Sequence, residues 1–70
     1  MFVLGIDPGL SRCGYAVIRA GRRGKAEAVA LGVIRTSPDL DTPIRLAELQ
    51  RELRLLLDEY GPAVVSVERI

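Results

Sequence analysis

Histidine is absent from this 70-residue chain, and cysteine occurs once, as Cys13. A lone thiol excludes an internal disulfide, and without histidine a zinc cluster has almost no ligands to use. Two of the usual supports for a domain below about 70–80 residues are therefore missing. An excess of one charge sign is missing too: 10 Lys and Arg oppose 9 Asp and Glu, a formal net charge of +1. Composition thus gives no global signal for nucleic acid or membrane, and any polyanion binding must come from local charge. No apolar run approaches the roughly 20 residues of a membrane span. Met1-Phe2-Val3 lacks the basic region and cleavage site of a secretory signal. The expectation is a cytoplasmic protein without membrane contact. Internal repeats, linkers and low-complexity segments are also absent.

What the chain does have is a hydrophobic fraction of 49%, ordinary for a globular protein. So short a chain makes at most one domain and buries only about 60% of the surface that its unfolded form exposes. It stops at Ile70 directly after an apolar run. An uncovered, central-looking strand invites edge pairing, so the reading is the N-terminal part of a longer protein.

The hydrophobic pattern predicts strand, strand, strand, helix, strand. Phe2 to Asp7 reads as a buried strand. After a loop over Pro8 to Cys13, Gly14 to Ala20 reads as a second, and Gly21-Arg22-Arg23-Gly24 as a turn. Ala26 to Thr36 is a third, with Val29, Leu31 and Val33 on one face and Ala28, Ala30 and Gly32 on the other. Thr42 reads as an N-cap, with Pro43 at the first helical position. Leu46, Leu49, Leu53, Leu56, Leu57 and Tyr60 recur at helical spacing as the stripe facing the sheet, with Arg45, Glu48, Arg51, Glu52 and Glu59 largely outside it. Gly61-Pro62 ends the helix, and Val64 to Glu68 is the fourth strand. The fold class is α/β: a three-stranded antiparallel meander, a helix, then a strand returned by the crossover to run parallel to the first.

That order puts Asp7 and Glu68 at the same ends of two adjacent strands spaced about 4.8 Å apart. Val3, Gly5 and Asp7 share one face, as do Val64, Ser66 and Glu68, so both acids point to one side if those faces coincide. Paired carboxylates with no histidine or cysteine cluster suit a hard cation, magnesium or manganese. Two such ions about 3.5–4 Å apart activate water and stabilise the leaving oxygen in phosphodiester cleavage. Two acids are too few for that alone, so further carboxylates must lie beyond Ile70. The plain alternative is an Asp-Pro-Gly turn and a solvated strand end. Against it, an acid ending each of two buried strands is costly without a metal or partner.

Ser11 and Arg12, just after Asp7, are candidate phosphate contacts, against the plainer reading of a solvated loop. Arg22, Arg23 and Lys25 read as a solvated turn at the far end of the sheet. Cys13 reads as a small buried residue rather than a reactive thiol.

Taken together, Gly5-Ile6-Asp7-Pro8-Gly9, Gly14-Tyr15-Ala16-Val17-Ile18, the Arg45-Leu46 helix and Val67-Glu68 resemble the N-terminal part of the RuvC family. Its members are crossover-junction endodeoxyribonucleases of ribonuclease-H-like fold. The resemblance covers essentially the whole chain. It implies residues 1–70 as the N-terminal part of a single nuclease domain whose remainder is missing. It also implies a homodimeric, magnesium-dependent enzyme that nicks Holliday junctions beside a branch-migration helicase.

Asp7 and Glu68 match two of the family's four catalytic, metal-binding acids. The other two lie on a C-terminal helix, three residues apart, and the base-stacking aromatic lies just past Ile70, so this piece alone is expected to be inactive. Cys13 stands where threonine is common in the family, and Ala16 where a second glycine is frequent.

Three other readings stay open. An actin, sugar-kinase or heat-shock ATPase opens with a similar Asp-x-Gly turn, but Leu10-Ser11-Arg12-Cys13 is not glycine-rich. A YqgF-type RNA-processing protein shares the turn and the fold, and the preference for the RuvC family over it rests mainly on Pro8 and the Gly14-Tyr15 pair. An interaction module would use the apolar fourth strand to pair with a partner.

Overall fold

In the computed structural model, which describes residues 1–68, strands β1 (Phe2–Asp7), β2 (Arg12–Ala20), β3 (Ala26–Arg35) and β4 (Val64–Val67) form one sheet in the order β3-β2-β1-β4. Helix α1 (Thr42–Tyr60) makes the crossover. β1, β2 and β3 pair antiparallel in sequence, and β4 lies parallel to β1. This is the expected order of elements. The end of the chain at Ile70 lies outside the described residues.

The alternation of β1 divides the sheet into two unlike faces. Phe2, Leu4 and Ile6 share the helix-covered side with Tyr15, Val17 and Arg19 of β2, their partners in register. Phe2 meets Tyr60 of α1 edge to face, 5.6 Å between ring centres, while the Arg19 guanidinium lies 5.8 Å from the Phe2 ring centre. Leu4, Cys13, Val17 and Ile34 are the buried apolar core, so Cys13 packs as a small apolar residue. The opposite face carries Val3, Gly5 and Asp7 with Ile18, Ala16 and Gly14. No helix among the described residues covers it. The smallest principal extent, 15 Å, fits one helix layer on one side of a sheet.

Several local expectations need correction. β2 begins at Arg12, two residues before the expected Gly14, because Arg12 and Cys13 pair with Arg35 and Ile34; the loop is Pro8 to Ser11. β3 ends at Arg35, and Thr36 leaves the ladder to make side-chain bonds. A bulge leaves Val29 unpaired: Val17 faces Ala30 while Ile18 faces Ala28. Ala28 therefore shares the face of Leu31 and Val33 rather than that of Ala30 and Gly32, since an extra residue reverses the alternation beyond it.

The N-cap is Asp41, not Thr42, so Pro43 takes the second helical position. The Asp41 carbonyl accepts from the Ile44 and Arg45 N–H groups. Proline is tolerated there because the first-turn N–H groups have no intrahelical partner. The stripe facing the sheet is also rotated. Leu49, Leu53, Leu56 and Tyr60 are half-buried, but Leu46 is 52% exposed and Leu57 41%. Arg45, expected outside the stripe, turns inward to bond Thr36 and Ser11.

Gly61 closes α1 as expected, in the left-handed region at φ 51°, with its N–H donating to the Leu57 carbonyl. Gly32 is required for a different reason. A Cβ there would lie 2.5 Å from the Tyr15 hydroxyl oxygen and 2.7 Å from Cζ, because the Tyr15 ring crosses β3 at that point. Gly32→Ala must displace the ring and is expected to lower stability by about 1–3 kcal/mol, the usual effect of overpacking, read as a fall in the urea midpoint at unchanged slope.

Candidate metal and phosphate site

Backbone chemistry decides where Asp7 sits. Pro8 has no N–H to continue the ladder. At Gly9 the backbone passes so close to the Arg12 carbonyl that a Cβ would collide with it. The turn is therefore tight, and Asp7 is the last paired residue of β1, opposite Gly14.

Glu68 arrives by the parallel pairing. The Ala63 N–H donates to the Phe2 carbonyl at 2.9 Å, and the Glu68 N–H to the Ile6 carbonyl at 3.0 Å. Between them Gly5 pairs with Ser66 and Ile6 with Val67. The faces that had to coincide do so. Asp7 and Glu68 line one open cavity of about 350 Å³ with Gly5, Gly14, Ala16 and Ser66.

The floor of that cavity is made of small residues, and packing does not demand them. A Cβ on Gly5 would come no closer than 3.8 Å to another atom, the Ala16 carbonyl oxygen, and one on Gly14 no closer than 3.7 Å, to the Asp7 Cβ. Both are ordinary contacts. The glycines leave room above the sheet, beside two carboxylates.

The donors facing this room are oxygens, from Asp7, Glu68 and the Ser66 hydroxyl, while the only thiol, Cys13, is buried on the other face. An all-oxygen set suits magnesium or manganese rather than zinc or copper. It is incomplete: among the described residues no group of three or more acidic, cysteine or histidine side chains converges.

Burial does not support the acids as expected. Both carboxylates are exposed in the described residues, so no desolvation penalty calls for a cation. Adjacency, oxygen chemistry and the empty floor are what favour one.

Ser11 and Arg12 lie at the acid end of the sheet and are exposed. The Ser11 hydroxyl accepts a hydrogen bond from Arg45 Nη2 at 2.6 Å. Arg12 pairs directly with Arg35, and register puts both on the acid-bearing face, in line with Gly14 and Val33. Like charges directly opposite repel, yet neither arginine has a salt bridge among the described residues. An anion bound between them would relieve that repulsion. Arg35 escapes a reading of sequence because only the register sets it beside Arg12. Arg22, Arg23 and Lys25 fall at the opposite end, around a short 3-10 turn in which Arg23 is left-handed at φ 60°. No helix in the described residues is long and apolar enough to cross a membrane.

Comparison with known proteins finds matches along nearly the whole chain. The family model of crossover junction endodeoxyribonuclease RuvC matches residues 3–70. A relative of that name from Corynebacterium glutamicum is 46% identical over 68 residues, covering 97% of this chain and 31% of the relative. The structure of Thermus thermophilus RuvC superposes with a TM-score of 0.91 at 30% identity, covering 100% of this chain and 43% of that one. A second T. thermophilus structure, RuvC in complex with Holliday junction substrate, gives a TM-score of 0.88 at 30% identity, covering 100% and 45%. The fold is thus ribonuclease-H-like, and the chain spans less than half the length of these relatives.

Proposed function

The chain belongs to the RuvC family, and from that membership we propose that it is the N-terminal part of a single nuclease domain that resolves Holliday junctions in recombination and repair. The observation that carries this reading is the convergence of Asp7 and Glu68 over a glycine-floored cavity at the ends of parallel strands. In the complete protein Asp7 and Glu68 hold magnesium, or manganese in its place, with the help of two further acids from the missing segment. The bound ions supply an activated water and charge stabilisation for phosphodiester hydrolysis.

The residues of this chain do the rest. Asp7 and Glu68 fix the position of the cation against the sheet. Gly5 and Gly14 leave space for a phosphate. Arg12 and Arg35 face the same side and neutralise backbone charge, with Ser11 as a neutral contact. The substrate is four-way junction DNA, cut by a homodimer that works beside a branch-migration helicase in the cytoplasm. The 70-residue piece alone is inactive, because two acids do not complete a two-metal site.

The Asp7 and Glu68 pairing favours this reading over the ATPase, which needs a glycine-rich phosphate loop where Leu10 to Cys13 stand, and over a pairing module, which needs no carboxylates. Titration of the complete protein with manganese tests it. Asp7→Asn combined with Glu68→Gln is expected to remove saturable binding. Undiminished binding would refute the site.

A further inference from the structure

Arg45 is the arginine that the helical pattern assigns to solvent and the fold turns inward. It sits in the first turns of α1 and reaches two separate parts of the chain. Its Nε donates to Thr36 Oγ1 at 3.1 Å and its Nη2 to Ser11 Oγ at 2.6 Å.

Arginine has donors only, so each hydroxyl that it touches must act as acceptor there. The consequences differ for the two. Thr36 is buried, and its one hydrogen goes to the Leu10 carbonyl. Its N–H donates to the Ser11 carbonyl at 3.3 Å. Both carbonyls belong to the loop that follows Asp7. Ser11 is exposed, and with Arg45 filling an acceptor position its hydrogen is left to point outward, where no acceptor among the described residues takes it. The cation beside it also polarises the hydroxyl, since a hydrogen bond to a charged group is stronger than a neutral one.

We propose that Arg45 is a positioning residue for the acid site: through Thr36 it holds the Pro8–Ser11 loop that sets Asp7, and it presents the Ser11 hydroxyl as an oriented donor to a backbone phosphate of the bound DNA. The inference rests on the reading that Asp7 holds the cation and that substrate phosphate lies at this end of the sheet. It adds that the geometry of Asp7 depends on a helix that does not line the cavity. Lysine cannot replace the guanidinium, because the two bonds need the fixed fork of Nε and Nη2, which a single ammonium lacks.

The test pairs manganese binding by the complete protein without DNA, which Arg45→Gln is expected to weaken severalfold and whose constancy overturns the proposal, with single-turnover cleavage of a four-way junction as a function of magnesium, well below the unfolding midpoint. Arg45→Gln is expected to lower the saturated rate about tenfold and to raise the magnesium concentration for half-maximal rate severalfold; loss of second-layer ligand support typically has effects of about 10–100-fold. Ser11→Ala is expected to lower the rate about threefold with the magnesium requirement unchanged. Adding Ser11→Ala to Arg45→Gln should lower it no further, because one acts through the other.

A purely structural role would shift the midpoint of unfolding and leave the magnesium requirement of the folded enzyme alone. That result overturns the proposal. Should Arg45→Gln fail to fold, Arg45→Lys and Ser11→Ala decide the matter, and wild-type rates in both overturn it. Asp7→Asn run in parallel separates the two levels: surviving cleavage refutes the metal site itself, whereas lost cleavage with unaffected Arg45 and Ser11 variants refutes only the positioning role.

Discussion

Asp7→Asn in the complete protein is expected to lower junction cleavage by at least about a thousandfold, equivalent to about 4 kcal/mol on the barrier, while junction affinity stays within about threefold of the unaltered protein. Asparagine keeps the shape and the tight turn, so the Gly14 pairing and the Pro8–Ser11 loop are undisturbed. What disappears is the negative charge opposite Glu68. A hard cation discriminates strongly between an anionic and a neutral oxygen, and hydrolysis of this type depends on charge at the reacting phosphate. Binding survives because it draws on phosphate contacts elsewhere, and the substituted position no longer repels the backbone. Quantified cleavage beside equilibrium binding at one stated salt concentration checks both halves. Retained cleavage, or loss of both together, contradicts the assignment.

Leu4→Ala should have the largest effect on stability. Leu4 is 1% exposed on the central strand β1, flanked in register by Val17 on β2 and Val65 on β4. Strands on both sides and α1 above leave its neighbours little room to collapse into a void. The expected loss is about 2–5 kcal/mol, the usual range for truncating a buried leucine. Since whole domains are stable by only about 5–15 kcal/mol, this is a substantial fraction, visible as a large drop in the denaturant midpoint of the complete protein. Val65, by contrast, is 46% exposed, and Val65→Ala should cost much less in this part of the molecule. Equal losses at the two positions would mean that β4 is covered more deeply than the described residues indicate.

The elements that carry the site were legible because their signals are local. Pro8 and Gly9 stop β1 whatever surrounds them, Gly61-Pro62 stop α1, and a single helix between two apolar strands implies a parallel return. From these, and from period-two alternation, the common face of Asp7 and Glu68 follows. What was hidden depends on partners distant in sequence. Arg45 looks like a solvent residue by helical spacing, and only the presence of two hydroxyls, 9 and 34 residues away, makes the inward position favourable. Arg35 is one charged residue at a strand end until the register sets it against Arg12. The reversal of Ala28 needs the bulge, for which the alternating sequence of β3 has no marker. The start of β2 is hidden because Arg12 and Cys13 look like loop chemistry, whereas pairing with Arg35 and Ile34 extends the ladder to them.

The parallel pairing of β1 with β4 also sets an order of assembly. β1, β2 and β3 are neighbours in sequence, and their contacts close short loops. β4 must wait until the 19-residue helix has been made and folded back, a longer closure that is entropically slower to reach. In order of synthesis Asp7, at the end of β1, precedes the crossover helix, and Glu68, just past β4, follows it. Until β4 docks, the nascent chain displays one acid of the pair. The pairing of the two carboxylates is therefore among the last features of this segment to form.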